Sequence, residues 1–302
     1  MTNQPSSPGR FSRILFAVDG TPRSTGAVQA VETIARAAGA DVRVLHVWNL
    51  EVRVNGGLWD VETRAEATEL VERIAGRLVA AGVPATSEVS SASEKKIPDA
   101  IADAARQYSA DLVAVGSRGR SDLEGLFLGS VSHRVLQKVS CPVLVVRQGG
   151  ERTGRRLRRV LLAVAGGEEV PQAIEAVTTI ALAADATIRV LHVRNLTAGD
   201  AVTWVESEDD AEAVLKGIMS RLRTAGVNTE ARVAGPSSFV AQDIAEEARA
   251  WDADLIVMGS RRLSELSGLV AGSVCHEVSH LSDRPVLVLE RAGSSRQAKG
   301  AE

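Results

Sequence analysis

The sequence predicts an α/β protein built as two tandem open parallel-sheet domains, each with five strands and with helices on both faces. Three observations carry this reading. The chain repeats itself at the length of a whole domain, apolar runs alternate with helix-periodic segments, and the two copies keep the same order. Arg13-Ile-Leu-Phe-Ala-Val-Asp19 matches Arg159-Val-Leu-Leu-Ala-Val-Ala165, and the Val-Arg-Val-Leu-His-Val of 42–47 matches Ile-Arg-Val-Leu-His-Val of 188–193, both at an offset of 146 residues. Residues 110–119 match 253–262, and Pro142-Val-Leu-Val-Val146 matches Pro285-Val-Leu-Val-Leu289, both at 143. A solenoid unit is far shorter than this period, so the repeat is a duplicated domain. The copies are expected at 9–148 and 156–292, joined by a polar linker rich in glycine and arginine over 148–158.

In the first copy, residues 14–18 form a continuous β-rich apolar run, as expected of a strand buried on both faces. Residues 24–38 read as a helix with Val28, Val31, Ile34 and Ala35 on one face and Gly39 as its stop. A strand over 42–47 follows, then a helix over 61–81 with Leu70, Val71, Ile74 and Leu78 inward. The remaining elements are a short strand at 86–89, a helix at 97–108, a strand at 112–115, a helix at 130–139 and a last strand at 143–146. Strict alternation implies right-handed crossovers and a parallel sheet. The second copy is expected to repeat all of it.

Composition narrows the function. Of 302 residues, 45% are hydrophobic and 24% charged, so the chain can bury a core and is not a disordered polymer. A net charge of −3 calls for no nucleic acid, and the arginines of the linker have no aromatics among them. No apolar run reaches the ~18 residues of a membrane span, and the opening residues lack the apolar core of a secretory signal. With only Cys141 and Cys275, no disulfide framework is expected, which fits a reducing cytoplasm.

The strongest chemical signal follows the fourth strand: Gly116-Ser-Arg-Gly119, then nine residues, then Gly129-Ser130. Gly116 lets a ligand approach the backbone without meeting a Cβ, and Gly119 permits a left-handed turn. Gly129 and Ser130 open a helix, whose unpaired N–H groups attract anions. The spacing therefore suits a phosphate cradle at the carboxyl end of a strand. The same glycines also suit a plain turn ahead of a helix. The first strand ends in Asp19, whose carboxylate suits ribose hydroxyls, a metal on the phosphates, or a helix N-cap.

Taken together, the strand ending in Asp19, Leu45-His46-Val47, the G-x2-G-x9-G-S pattern and the closing Cys141-Pro-Val-Leu-Val-Val146 resemble the universal stress proteins, in a tandem form covering nearly the whole chain. The resemblance implies an adenine-nucleotide-binding Rossmann-like domain with sheet order 3-2-1-4-5, and ATP, with Mg2+ where a metal is used, as ligand. It implies that Asp19 and Gly116 face the ribose, that the Val47 backbone contacts adenine and that Ala17 lines the wall. Gly119, Gly129, Ser130 and Val131 are then the phosphate-holding residues. Acting in stress response or signalling, such a protein needs no catalytic residue, and no dedicated general base is evident for efficient hydrolysis. A slow ATPase or nucleotidyl transferase using Asp19 and a metal, and a partner-binding scaffold, are the competing readings.

The second copy departs from the pattern. Ala165 replaces Asp19 and Arg262 replaces Gly119, while Gly259, Gly272 and Ser273 remain. Weak or absent binding is expected there, although Arg262 also suits a phosphate. Other signatures fail. There is no P-loop and no G-x-G-x-x-G after the first strand. His276-Glu-Val-Ser-His280 matches H-E-x-x-H literally, but its counterpart His133-Arg-Val-Leu-Gln137 keeps neither the glutamate nor the second histidine. His46 and His192 are expected to be hydrogen-bonded core histidines. The apolar fifth strands are sheet edges in the implied order, and edges of that kind need cover. The two domains are therefore expected to pair through them within one chain. A further homodimer of the whole chain is compatible with this.

Overall fold

The computed structural model describes residues 11–20, 25–49, 62–116, 130–146, 156–165, 170–198, 203–260 and 273–290. The first half runs β1 (Arg13–Val18), α1 (Thr25–Ala38), β2 (Asp41–Asn49), α2 (Arg64–Ala80), β3 (Ala85–Ala92), α3 (Ile97–Tyr108), β4 (Leu112–Gly116), α4 (Ser130–Lys138) and β5 (Val143–Val146). The second runs β6 (Arg159–Val164), α5 (Val170–Ala184), β7 (Thr187–Ala198), β8 (Thr203–Val205), α6 (Glu208–Thr224), β9 (Thr229–Ser237), α7 (Val240–Ala250), β10 (Leu255–Ser260), α8 (Ser273–Leu281) and β11 (Val286–Glu290). Helices α1, α2, α5 and α6 cover one sheet face; α3, α4, α7 and α8 cover the other.

Strand order in the first half is β3-β2-β1-β4-β5, and β9-β7-β6-β10-β11 repeats it in the second. The five-strand expectation needs one correction. The second half has a sixth strand, β8, which pairs antiparallel with the extension of β7 at Leu196–Ala198. Three residues of β-rich sequence give too short a run to signal a strand. Strand β3 also runs to Ala92 rather than ending at 89, because its mixed burial hides it from an apolar count. Helix α2 begins at Arg64, where a capping box stops it: Thr63 accepts from the Glu66 N–H, and Glu66 accepts from the Thr63 N–H.

Alternation along each strand sorts the core. Ile14, Phe16 and Val18 face α1 and α2, while Leu15 and Ala17 face α3 and α4. One carboxylate per half ties the start of the first strand to the start of the fourth. Asp111 accepts the N–H groups of Ser12 at 2.7 Å and Arg13 at 2.9 Å, and Asp254 accepts those of Arg158 at 2.8 Å and Arg159 at 2.9 Å.

The halves meet along β5 and β11, which pair antiparallel with Leu144 opposite Leu287. The cluster under α1, α2, α5 and α6 is continuous across this seam. On the other face Leu136 of α4 packs against the clusters of both halves. Beside it the rings of His133 and His276, which are repeat equivalents, meet edge to face with centroids 4.5 Å apart.

Burial holds both imidazoles below their ordinary value of 6.5, and proximity adds to this, His276 acting on His133 and His280 on His276. Arg134 works in the same direction on His133, and Glu277 opposes it on His276. A histidine whose folded value is depressed takes up a proton more readily when unfolded. Its contribution is complete above the ordinary imidazole value and is lost as pH falls from there through the folded value. The melting temperature should therefore drop on acidification from pH 7.5 to 5.5, and the drop should be smaller in a His133→Gln, His276→Gln double variant. Equal drops in the two proteins would remove the pair from the acid response.

Candidate nucleotide site

The candidate site lies where β1 and β4 end side by side, since these strands pair directly from Ile14↔Leu112 to Ala17↔Val115. The helices that follow these two strands lie on opposite sheet faces, α1 on one side and α4 on the other, the arrangement that in open α/β sheets leaves a crevice at the carboxyl ends. Asp19 follows β1 directly and is half-buried. The next residue, Gly20, has φ +76°, a left-handed conformation that suits glycine and turns the chain off the strand. Gly116 ends β4, also half-buried.

Three further expected residues share one apolar cluster on the α3/α4 side. Val47 is 8% exposed, and Ala17 and Val131 pack against the same group. They form a wall below the strand ends. Helix α4 opens at Ser130, so its first amides lie beside this wall. The structure thus brings Ala17, Asp19, Val47, Gly116, the Ser130 backbone and Val131 to the carboxyl end of one sheet. Gly119, Gly129 and the Ser130 side chain lie outside the described residues.

Two side chains, His46 and Ser132, bind the site together through hydrogen bonds, and sequence reasoning assigned neither to it. His46, opposite Val18 in the β1–β2 register, is 3% exposed. Its Nδ1 lies 2.7 Å from the Val18 carbonyl and its Nε2 3.0 Å from the Glu62 carboxylate. A carbonyl only accepts, so Nδ1 carries a hydrogen and donates it to Val18. Ser132, in the first turn of α4, donates its hydroxyl to the Gly116 carbonyl at 2.6 Å.

The second half repeats this frame with weaker chemistry. His192 Nδ1 lies 2.9 Å from the Val164 carbonyl, and Nε2 lies 2.9 Å from Glu206. Cys275 replaces Ser132 and reaches the Gly259 carbonyl at 3.4 Å. A thiol is a weak donor. At the position of Asp19 stands Ala165. A signal for the glutamates existed in the repeat: Glu62 and Glu206 each directly precede an N-cap residue, Thr63 and Ser207.

The H-E-x-x-H segment lies in α8, where His276 packs on His133 and Cys275 and Val278 are buried. Among the described residues, no group of three or more His, Cys, Asp or Glu side chains is placed to hold a metal ion. No helix among them is long and apolar enough to cross a membrane.

Comparison with known proteins agrees with this architecture. The chain is 30% identical over 150 residues to a universal stress protein of Bacillus subtilis, covering 45% of this chain and 99% of that one. It is 25% identical over 306 residues to one of Mycobacterium tuberculosis, covering 95% of this chain and all of the other. Among solved structures, a universal stress protein of Archaeoglobus fulgidus superposes with a TM-score of 0.71 at 22% identity, over 92% of this chain and 98% of that one, which shows the shared fold. A family model described as the Universal stress protein family matches twice, at residues 10–147 and 156–290. With one match in each repeat, the chain belongs to the universal stress protein family as a tandem two-domain member.

Proposed function

We propose that this protein binds adenine nucleotide and acts in stress response or signalling in the cytoplasm, with ATP held by its first domain as a regulatory ligand. The domains are taken as 9–148 and 156–292, paired within the chain through β5 and β11. The observation that carries the reading is the placement of Asp19 and Gly116 at the ends of directly paired strands, with the α4 start tied to Gly116 by Ser132. The residues suit the ligand. A carboxylate can accept ribose hydroxyls, Gly116 presents no Cβ, Ala17, Val47 and Val131 offer an apolar wall, and a helix N-terminus favours phosphate. In this reading Val47 contacts adenine through its backbone. Gly119, Gly129, Ser130 and Val131 hold the phosphates, and Mg2+ would accompany them. No general base is assigned.

The test is to denature the purified full chain and identify what it releases, then to titrate the stripped protein with ATP. Intact ATP is expected. Release of ADP together with slow turnover would favour an ATPase. Neither released nucleotide nor titratable binding would leave a partner-binding scaffold as the better reading.

A further inference from the structure

We infer that His46 and Ser132 are positioning residues of the nucleotide site, each setting the peptide plane that leads out of a strand into the crevice. The inference rests on the nucleotide reading above. A peptide unit is planar, so the Val18 carbonyl and the Asp19 N–H move together. The 2.7 Å bond from His46 to the Val18 carbonyl therefore fixes the direction in which Asp19 leaves β1. In the same way the 2.6 Å bond from Ser132 to the Gly116 carbonyl fixes the peptide leaving β4, and it couples that peptide to the first turn of α4. Both donors are buried, His46 at 3% and Ser132 at 2% exposed, so water does not compete for the bonds. Each also occupies a carbonyl oxygen beside a crevice read as receiving a polyanion, where an unengaged carbonyl dipole would repel.

His46 has two bonds, and they do separate work. The one to Glu62 anchors the residue before the Thr63 cap and so holds the start of α2. Glu62 and the His46 ring also lie under Gly20, where an added Cβ would come within 3.5 Å and 3.7 Å of them. The second half keeps both bonds, His192 to the Val164 carbonyl and to Glu206 just before the Ser207 cap of α6, although Ala165 stands where the first half has the carboxylate to be positioned. The member of the frame that has weakened there is the clamp on the fourth strand of that half, where Cys275 replaces the hydroxyl.

The two jobs can be tested apart in the full-length chain by calorimetric titration with ATP. Asn in place of His places a donor near Nδ1, and Gln places one near Nε2. His46→Asn should keep affinity within about threefold, and His46→Gln should lose about tenfold, the order expected for one hydrogen bond. Ser132→Ala should lose about tenfold, and Ser132→Thr, which keeps the hydroxyl, should lose less. His192→Gln, the same change outside the site, should lower the melting temperature and leave affinity unchanged. Wild-type affinity in folded His46→Gln and Ser132→Ala overturns the inference and leaves the nucleotide reading intact. So does a loss in His192→Gln equal to that in His46→Gln. A wild-type chain that binds no adenine nucleotide overturns both readings together.

Discussion

Titration of the stripped full chain with ATP is expected to give one site, and changes at the first-domain motif should abolish it. The domains differ where a ligand would discriminate. The first has Asp19 after β1, a serine on the Gly116 carbonyl, and Gly119 three positions after Gly116 in sequence. The second has Ala165, a cysteine on the Gly259 carbonyl, and Arg262. Removing the Asp19 carboxylate by Asp19→Ala should cost about 10- to 150-fold in affinity, the range for hydrogen bonds to a charged group. Gly119→Arg and Gly129→Trp should remove measurable binding, because bulk at a close-approach glycine blocks the ligand outright. The reverse changes, Ala165→Asp with Arg262→Gly, should raise the stoichiometry toward two. All of these positions lie at strand ends, in the connection between β4 and α4, or at their equivalents in the second half, so the melting temperature of the ligand-free chain should change little. Two equal sites in the wild type would sink the asymmetry, and a folded Gly129→Trp chain with undiminished affinity would sink the cradle.

The fold was largely legible because parallel strands buried on both faces leave continuous apolar runs, as at 14–18 and 143–146. The duplication then gave each element a second reading. Other features left weaker traces. β8 is three residues long, and β3 carries its burial in mixed positions that defeat an apolar count. Of the site, the glycines and Asp19 could be read because their backbone requirements are local. The pairing of Glu62 with His46 could not, since a polar residue 16 positions after His46 joins it only through the packing of α2 against β2. Ser132 looked like any small residue in a first helical turn, and its role depends on where the β4 carbonyl points. His133 and His276 could be matched by the repeat, but only the seam between the halves brings their rings together.

That seam should respond strongly to charge. Leu144 and Leu287 face each other across β5 and β11, and each is 0% exposed. Val143 and Val145 fill the opposite sheet face of the same strand and are 1% exposed. Strand β5 is therefore buried on both faces and on both edges, between β4 and β11. An aspartate at Leu144 or Val145 would have no cationic partner among the residues that pair with β5, which are all apolar apart from Gly116. An unpaired buried charge costs about 3–5 kcal/mol. For domains of this size that corresponds to a fall in melting temperature on the order of 10 °C. Leu144→Ala and Leu287→Ala should each cost about 2–5 kcal/mol. Combined, they should cost less than their sum, because one cavity serves both. Strict additivity would separate the two leucines in solution. The first copy expressed alone, residues 1–150, would leave the β5 edge uncovered, and an apolar edge templates association. It should dimerise or aggregate. A soluble, strictly monomeric first copy would count against the β5–β11 seam as the joint between the two domains.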